Sequence, residues 1–203
     1  MPLRRHQEIE IKLRIRDLPA LRRRLRALGA RLLSNVHEHN TVFDTPRQRL
    51  RKKGQLLRLR LERPRSSSRI PLRAVLTYKS PGAPSTKPST ASSSRYKIRE
   101  EIETSISHPS ALERILHGLG LQPSFRYEKF RSTYRLPRVS GVLIDLDETP
   151  IGVFLELEGS PRAIDRAARL LGFAPSDYLI ATYAALYFNH CRRHRLRASH
   201  MLW

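Results

Sequence analysis

Two carboxylates and an ammonium stand at alternate positions near the start of the chain. They are Glu8, Glu10 and Lys12 in the stretch EIEIKLRIR, and Arg14 and Arg16 continue the series. The residues between them are Ile9, Ile11, Leu13 and Ile15. Strict alternation is the period of a β-strand, so one face is apolar and the other carries only charge. The same grammar returns in QLLRLRLER (Arg58, Arg60, Glu62), LRAVLTYKS (Thr77, Lys79) and RYKIREEIETS (Lys97, Arg99, Glu101, Glu103). It returns again in SFRYEKFRSTYRL (Lys129, Arg131, Arg135), SGVLIDLDET (Asp145, Asp147) and GVFLELEG (Glu156, Glu158). Two environments suit such faces. Water is the ordinary one, since one-sided solvated sheets are common. The other is an enclosed interior in which cations and carboxylates are paired or hold ions, because buried charge is otherwise costly. An interior of that kind would take something both highly anionic and metal-coordinated, such as a nucleoside triphosphate or an inorganic triphosphate with its divalent cation.

The elements that must position these residues can be read between them. DLPALRRRLRALGA predicts a helix, with Asp17 as N-cap, Pro19 in the first turn, Gly29 as stop, and Leu18, Leu21, Leu25 and Leu28 on one face. SHPSALERILHGLG predicts a second, with a Ser cap and a Gly stop, and SPRAIDRAARLLGF and SDYLIATYAALYFNH predict two more. ARLLSNVHEHNTVFDT reads as a strand without the charged face of the others, and PRQRLRKKG as a short helical turn closed by Gly54. About eight strands and fewer helices argue for an antiparallel α+β fold. Eight is also the number that closes a barrel wide enough for one small ligand. Helices with apolar stripes could cover such a barrel and turn the charged faces inward. PGAPSTKPSTASSS, near 81–94, is rich in Pro and Ser and reads as a disordered loop. One domain spans 1–190, and 191–203 is a basic tail to which no structure is assigned.

The totals bound the partners. Lys and Arg number 39 against 18 Asp and Glu among 203 residues, a formal charge of +21. A polyanionic partner follows: nucleic acid, an anionic membrane or a phosphate-rich small molecule. No stretch has the length to span a bilayer, and no apolar run follows the N-terminal basic residues. The single cysteine, Cys191, permits no internal disulfide. A cytoplasmic protein is expected, as a monomer or homodimer.

The ordered blocks resemble a known family. EIEIK is similar to the ExExK signature of the CYTH superfamily, the triphosphate tunnel metalloenzymes, which include class IV adenylyl cyclases, thiamine triphosphatases and inorganic triphosphatases. VFDTPRQRLRKKGQLLRLR resembles that family's FDTP-x-L-x-G-x-LRxR block. LTYKSP, REEIE, YEKFRSTY and LIDLDETPIGVFLELEG resemble its later strands, and the match runs from Glu8 to Tyr187. The resemblance implies a closed eight-stranded antiparallel β-barrel. It assigns Glu8, Glu10, Asp145, Glu156 and Glu158 to binding Mg²⁺ or Mn²⁺, for which carboxylate oxygens are suitable hard ligands. It matches Lys12, Arg58, Arg60, Lys79 and Arg131 to phosphate-binding cations, with Asp147 as a further ligand or substrate contact. Lys97, Arg99 and Lys129 share those faces. His37, His39, His190, His194 and His200 read as surface side chains.

Departures from the pattern tilt the expected chemistry. Lys79 matches a lysine thought to activate water beside a tyrosine, but the tyrosine position is Val42 here. LRRHQ lacks the His-Phe pair that class IV cyclases carry before ExExK, which favours hydrolysis over cyclisation. SDYLIATYAALY lacks the helix lysine of thiamine triphosphatases. Metal-dependent hydrolysis of a triphosphate is therefore the expected activity, with adenylyl cyclase as the alternative. A non-catalytic polyanion or nucleic-acid binder is the rival from another class. No nucleic-acid-binding motif accompanies the charge, so contact with nucleic acid is expected to be non-specific at most.

Overall fold

In the computed structural model, which describes residues 6–65, 73–82 and 95–203, the alternating stretches all become strands of one sheet. These are β1 (His6–Ile15), β2 (Arg31–Asp44), β3 (Leu56–Pro64), β4 (Arg73–Pro81), β5 (Lys97–Ser105), β6 (Gln122–Arg135), β7 (Val142–Thr149) and β8 (Gly152–Gly159). All pairings are antiparallel and the sheet closes on itself in the order β1-β5-β4-β3-β2-β6-β7-β8. The fold is thus an α+β barrel of eight strands, as expected. The close of β8 depends on Gly159, whose φ is +157° and where a Cβ would lie 2.0 Å from the Gly141 carbonyl oxygen. Only glycine allows β7 and β8 to meet there.

Among the described residues, five α-helices lie against the barrel: α1 (Leu18–Ala27), α2 (Arg49–Lys52), α3 (Pro109–Gly118), α4 (Pro161–Leu171) and α5 (Tyr183–His194). Asp17 caps α1, accepting from the Ala20 amide at 2.8 Å. Ser160 and Thr182 do the same for α4 and α5. The expected Ser cap of α3 is not formed; His108 occupies that position without a side-chain bond. Leu21 and Leu25 of α1 and Ile164, Ala167 and Ala168 of α4 bury the outward residues Ile11, Leu13, Ile144, Leu155 and Leu157. Leu116 of α3 covers Phe43, Leu59 and Ala74. Coverage by helices answers the question that alternation left open: the apolar faces point outward, and the charged faces point in.

Two sequence expectations need correction. SDYLIATYAALYFNH is not helical from its start. Leu179 is held extended by two backbone bonds with Lys12, each 2.8 Å, so α5 begins only at Tyr183. The basic tail is not bare chain either. α5 continues to His194, and Met201, fully buried, exchanges backbone bonds with Arg126 and Glu128 on β6. The Pro/Ser loop beyond Gly82 lies outside the described residues. Among the described residues, no helix is long and apolar enough to cross a membrane.

Candidate active site

Period-two alternation on the strands, joined into a cylinder, brings charged residues from six of them to one cavity of about 300 Å³. Glu8, Glu10, Lys12, Arg58, Arg60, Lys79, Lys97, Arg99, Glu101, Glu103, Lys129, Arg131, Glu156 and Glu158 line it. Of the expected site residues, only Asp145 and Asp147 are not on its surface. They stand behind it, in the wall.

One side of the wall is saturated with pairs. Asp147, with no exposure to solvent, accepts from Lys129 Nζ (2.7 Å), from Arg131 Nε and Nη2 (2.7 and 2.6 Å) and from the Tyr183 hydroxyl (2.6 Å). Arg131 also meets Asp145 (2.7 Å) and Glu156. Glu156 meets Lys12 at 2.9 Å. Burial alone would raise the Glu156 carboxyl, but Lys12, Arg131 and Lys129 hold it well below its ordinary range. Asp145 goes the other way: burial raises it despite Arg131. Two members of this network carry no sequence signal of function. Glu38 comes from β2, the strand that lacks the charged pattern, yet it is buried within 3.6–3.7 Å of Lys129, Arg131 and Arg60. Burial opposes its charge, and those cations lower its pKa nonetheless. Tyr183 enters from α5, its ring 4.9 Å below the Lys129 ammonium and 5.4 Å from that of Lys12. Burial and Asp147 raise its hydroxyl well above the ordinary value, so it stays a donor.

The opposite side, on β1, β4 and β5 with Glu158 of β8, is less settled. Lys79 Nζ lies 2.6 Å from Glu8 and 3.1 Å from Glu101. Glu10 holds Lys12 (3.1 Å) and Lys97. Burial raises the Glu10 carboxyl, but Lys12 and then Lys97 outweigh it and bring it down to about 2. Glu158 is pushed up to about 7, first by burial and then by Glu8. Lys97 is pushed down to about 8 by burial and by the Lys12 charge. Among the described residues that line the cavity, three buried side-chain atoms lack a hydrogen-bond partner: the acceptor Glu8 Oε2 and the donors Arg58 Nε and Arg60 Nε, the last with Glu62 as an ion-pair neighbour at 2.9 Å. The remaining Arg58 donors reach Thr77 (3.1 Å) and the Tyr127 hydroxyl (3.2 Å).

The FDTP block has a local structural role. Asp44 accepts from the amides of Thr45, Leu50 and Arg51 at 2.7–3.0 Å, fixing the turn into α2. Beside the charged cavity lies a second of about 330 Å³, lined by Phe125, Phe188, Gln48, Gln55 and Arg51. Leu56, Arg99, Tyr127, Thr182 and Tyr183 border both.

The CYTH domain family model matches residues 6–171, which contain all eight strands. The chain belongs to the CYTH domain family. A curated relative from Methanocaldococcus jannaschii, named "Putative adenylate cyclase", is 26% identical over 164 residues, covering 81% of this CYTH chain and 83% of the relative. A solved Pyrococcus horikoshii protein superposes with a TM-score of 0.70 at 23% identity, covering 90% of this chain and 98% of that one. A Hippeastrum protein, described as a "putative adenylyl cyclase" with a dominant triphosphatase activity, superposes with a TM-score of 0.57 at 21% identity, over 94% and 97% of the two chains. At these identities the solved structures establish the barrel fold of the CYTH chain.

Proposed function

We propose that the barrel binds a triphosphate with a divalent cation and hydrolyses its terminal phosphoanhydride. The observation that carries this is the unpartnered pair on one cavity. Arg58 Nε is a buried donor without an acceptor, and Glu8 Oε2 is a buried acceptor without a donor or cation. A metal–phosphate complex supplies both. The all-oxygen set of Glu8, Glu10 and Glu158 fits Mg²⁺ or Mn²⁺, and Glu158, raised to about 7, is a carboxyl short of positive charge. Those three would hold the metal, while Asp145 and Glu156 balance Arg131 and Lys12. A divalent ion held by these residues would supply positive charge to the phosphates and the leaving group.

The chain's own residues do the rest. Arg58 and Arg60 present forks to phosphate oxygens, and Lys12, Lys79 and Arg131 present further charge. Asp147 and Glu38 fix Lys129 and Arg131 before substrate arrives, so that no reorganisation is needed as charge develops. Lys79, between Glu8 and Glu101, remains a candidate catalytic contact. Lys97, lowered to about 8 by burial, still carries its proton for the most part at neutral pH and adds a cation to the site beside Glu10. The polar-to-aromatic second cavity gives room for an organic group. It keeps adenylyl cyclase as a second reading, in which a ribose hydroxyl replaces water as nucleophile.

Product-resolved assays with tripolyphosphate, ATP and thiamine triphosphate, each with Mg²⁺ and Mn²⁺, test the proposal. Metal-dependent release of orthophosphate is expected. Cyclic AMP and pyrophosphate from ATP would establish the second reading. The absence of turnover with every substrate, alongside salt-sensitive binding of nucleic acid, would leave a non-catalytic polyanion binder.

A further inference from the structure

On the outside of the barrel, between β2 and β6, three side chains of ligand type converge. His37 and His39 are two residues apart on β2 and so share its outer face. Glu128 stands directly opposite His39 in the antiparallel register. His37 Nε2 lies 2.9 Å and His39 Nδ1 3.7 Å from the same oxygen, Glu128 Oε2. One ligand atom from each of the three residues falls within 4.8 Å of the others. Three ligands of a tetrahedral ion at about 2.0–2.1 Å would stand roughly 3.3 Å apart, between the two observed separations.

The surroundings hold the ligands in place. His37 stacks on Phe130 with ring centroids 4.4 Å apart. Trp203 packs on Phe130 at 4.8 Å and stands 6.2 Å from His37. The Trp203 amide donates to Glu128 Oε1 at 3.2 Å, which leaves Oε2 as the oxygen facing the imidazoles. A partner on the far side of a ligating group is the usual device for fixing its orientation. His39 is half exposed, so an ion has access from solvent. None of the three lines the tunnel cavity.

We propose that His37, His39 and Glu128 form a second metal site, for a borderline divalent ion such as Zn²⁺, separate in place and in chemistry from the tunnel. Two imidazoles and one carboxylate select zinc, nickel or copper over magnesium, which prefers oxygen. Solvent completes the shell. Because Glu128 also holds Trp203, an ion here fastens β2, β6 and residues 201–203 together.

Trp203 is the sole tryptophan of the chain and reports on the site directly. Its fluorescence would be followed in the 203-residue chain while Ni²⁺ or Cu²⁺, both quenching ions, is added in the presence of excess Mg²⁺. Saturable quenching at one equivalent, reversed by a chelator and blocked by prior Zn²⁺, is expected. His39→Ala and Glu128→Gln should each weaken it tenfold or more. The double variant His190→Ala/His194→Ala, which removes the pair on α5, should leave it intact. His39→Gln, with circular dichroism as a check on folding, guards against a collapsed variant. Equal quenching in wild type and His39→Ala, displacement by Mg²⁺, or loss in the α5 variant would overturn the proposal.

Discussion

The two sides of the tunnel hold the same residue types in opposite conditions. Around Asp147 and Arg131, every buried charge has its counter-charge: one carboxylate takes four hydrogen bonds from three side chains. Around Glu8 and Glu158, a carboxylate oxygen has no partner, one carboxyl is raised to about 7, and Lys97 is lowered to about 8. The first side is charge-balanced on folding and offers a ligand cations already fixed in place; the second is left for a ligand to balance. Interior charge is therefore not one property of this barrel. Part of it is framework, and part is stored demand for a cation and an anion.

The contrast can be broken most forcefully at Asp147. Asp147→Ala strands Lys129, Arg131 and the Tyr183 hydroxyl, and removing one partner of a buried pair costs about 3–5 kcal/mol. Urea unfolding should show that loss with and without metal. On the other side, Glu8→Gln removes the charge paired with Lys79 at 2.6 Å but leaves Glu101 to that ammonium, so the stability lost without metal should be smaller than at Asp147. Turnover of the best triphosphate should fall on the order of a hundredfold, as for loss of one preorganised electrostatic partner. Equal turnover in both proteins would remove Glu8 from the site.

A pH experiment sharpens the comparison further. Glu158 is raised from 4.5 to about 7 in the folded state, so the folded protein holds this proton more tightly than the unfolded chain. Its contribution to stability is full below pH 4.5 and is lost as pH rises towards 7. The metal-free melting temperature of Glu158→Gln should therefore gain on wild type between pH 5 and 8, and saturating Mg²⁺ should narrow the gap. Lys97, lowered from 10.5 to about 8, acts in a separate window and favours folding as pH climbs from 8 to 10.5. The smallest effect is expected outside the barrel. Arg22→Ala breaks an exposed 3.2 Å pair with Glu148 and should change stability by about 0.2–1 kcal/mol.

The barrel was legible because every strand but the second alternates and the blocks follow a family order. What the sequence could not reveal came from strands and helices meeting. Glu38 sits in SNVHEHN, where no run of alternating charge marks it, and only pairing of β2 with β6 sets it beside Lys129. Tyr183 lies in a stretch read only as a helix; its role follows from the bridge between Leu179 and Lys12 that steers α5 onto the cavity. Asp147 is spaced like a lining residue and shares the parity of Asp145. Burial, which spacing does not encode, places both in the wall.

Closure of the barrel joins its first strand to its last: Lys12 pairs with Glu156 and Glu10 with Glu158. No contact within one hairpin can make that seam. It requires a loop of well over a hundred residues to close, so high contact order should make it a late step in folding. On a growing chain, β1 emerges long before β8 and has only β5 as an earlier partner. The cluster of Glu10, Lys12 and Glu156 thus comes into being only when the seam is sealed. Ligand that needs this cluster cannot assist the earlier steps. It can only trap the completed ring, slowing its reopening rather than hastening its formation.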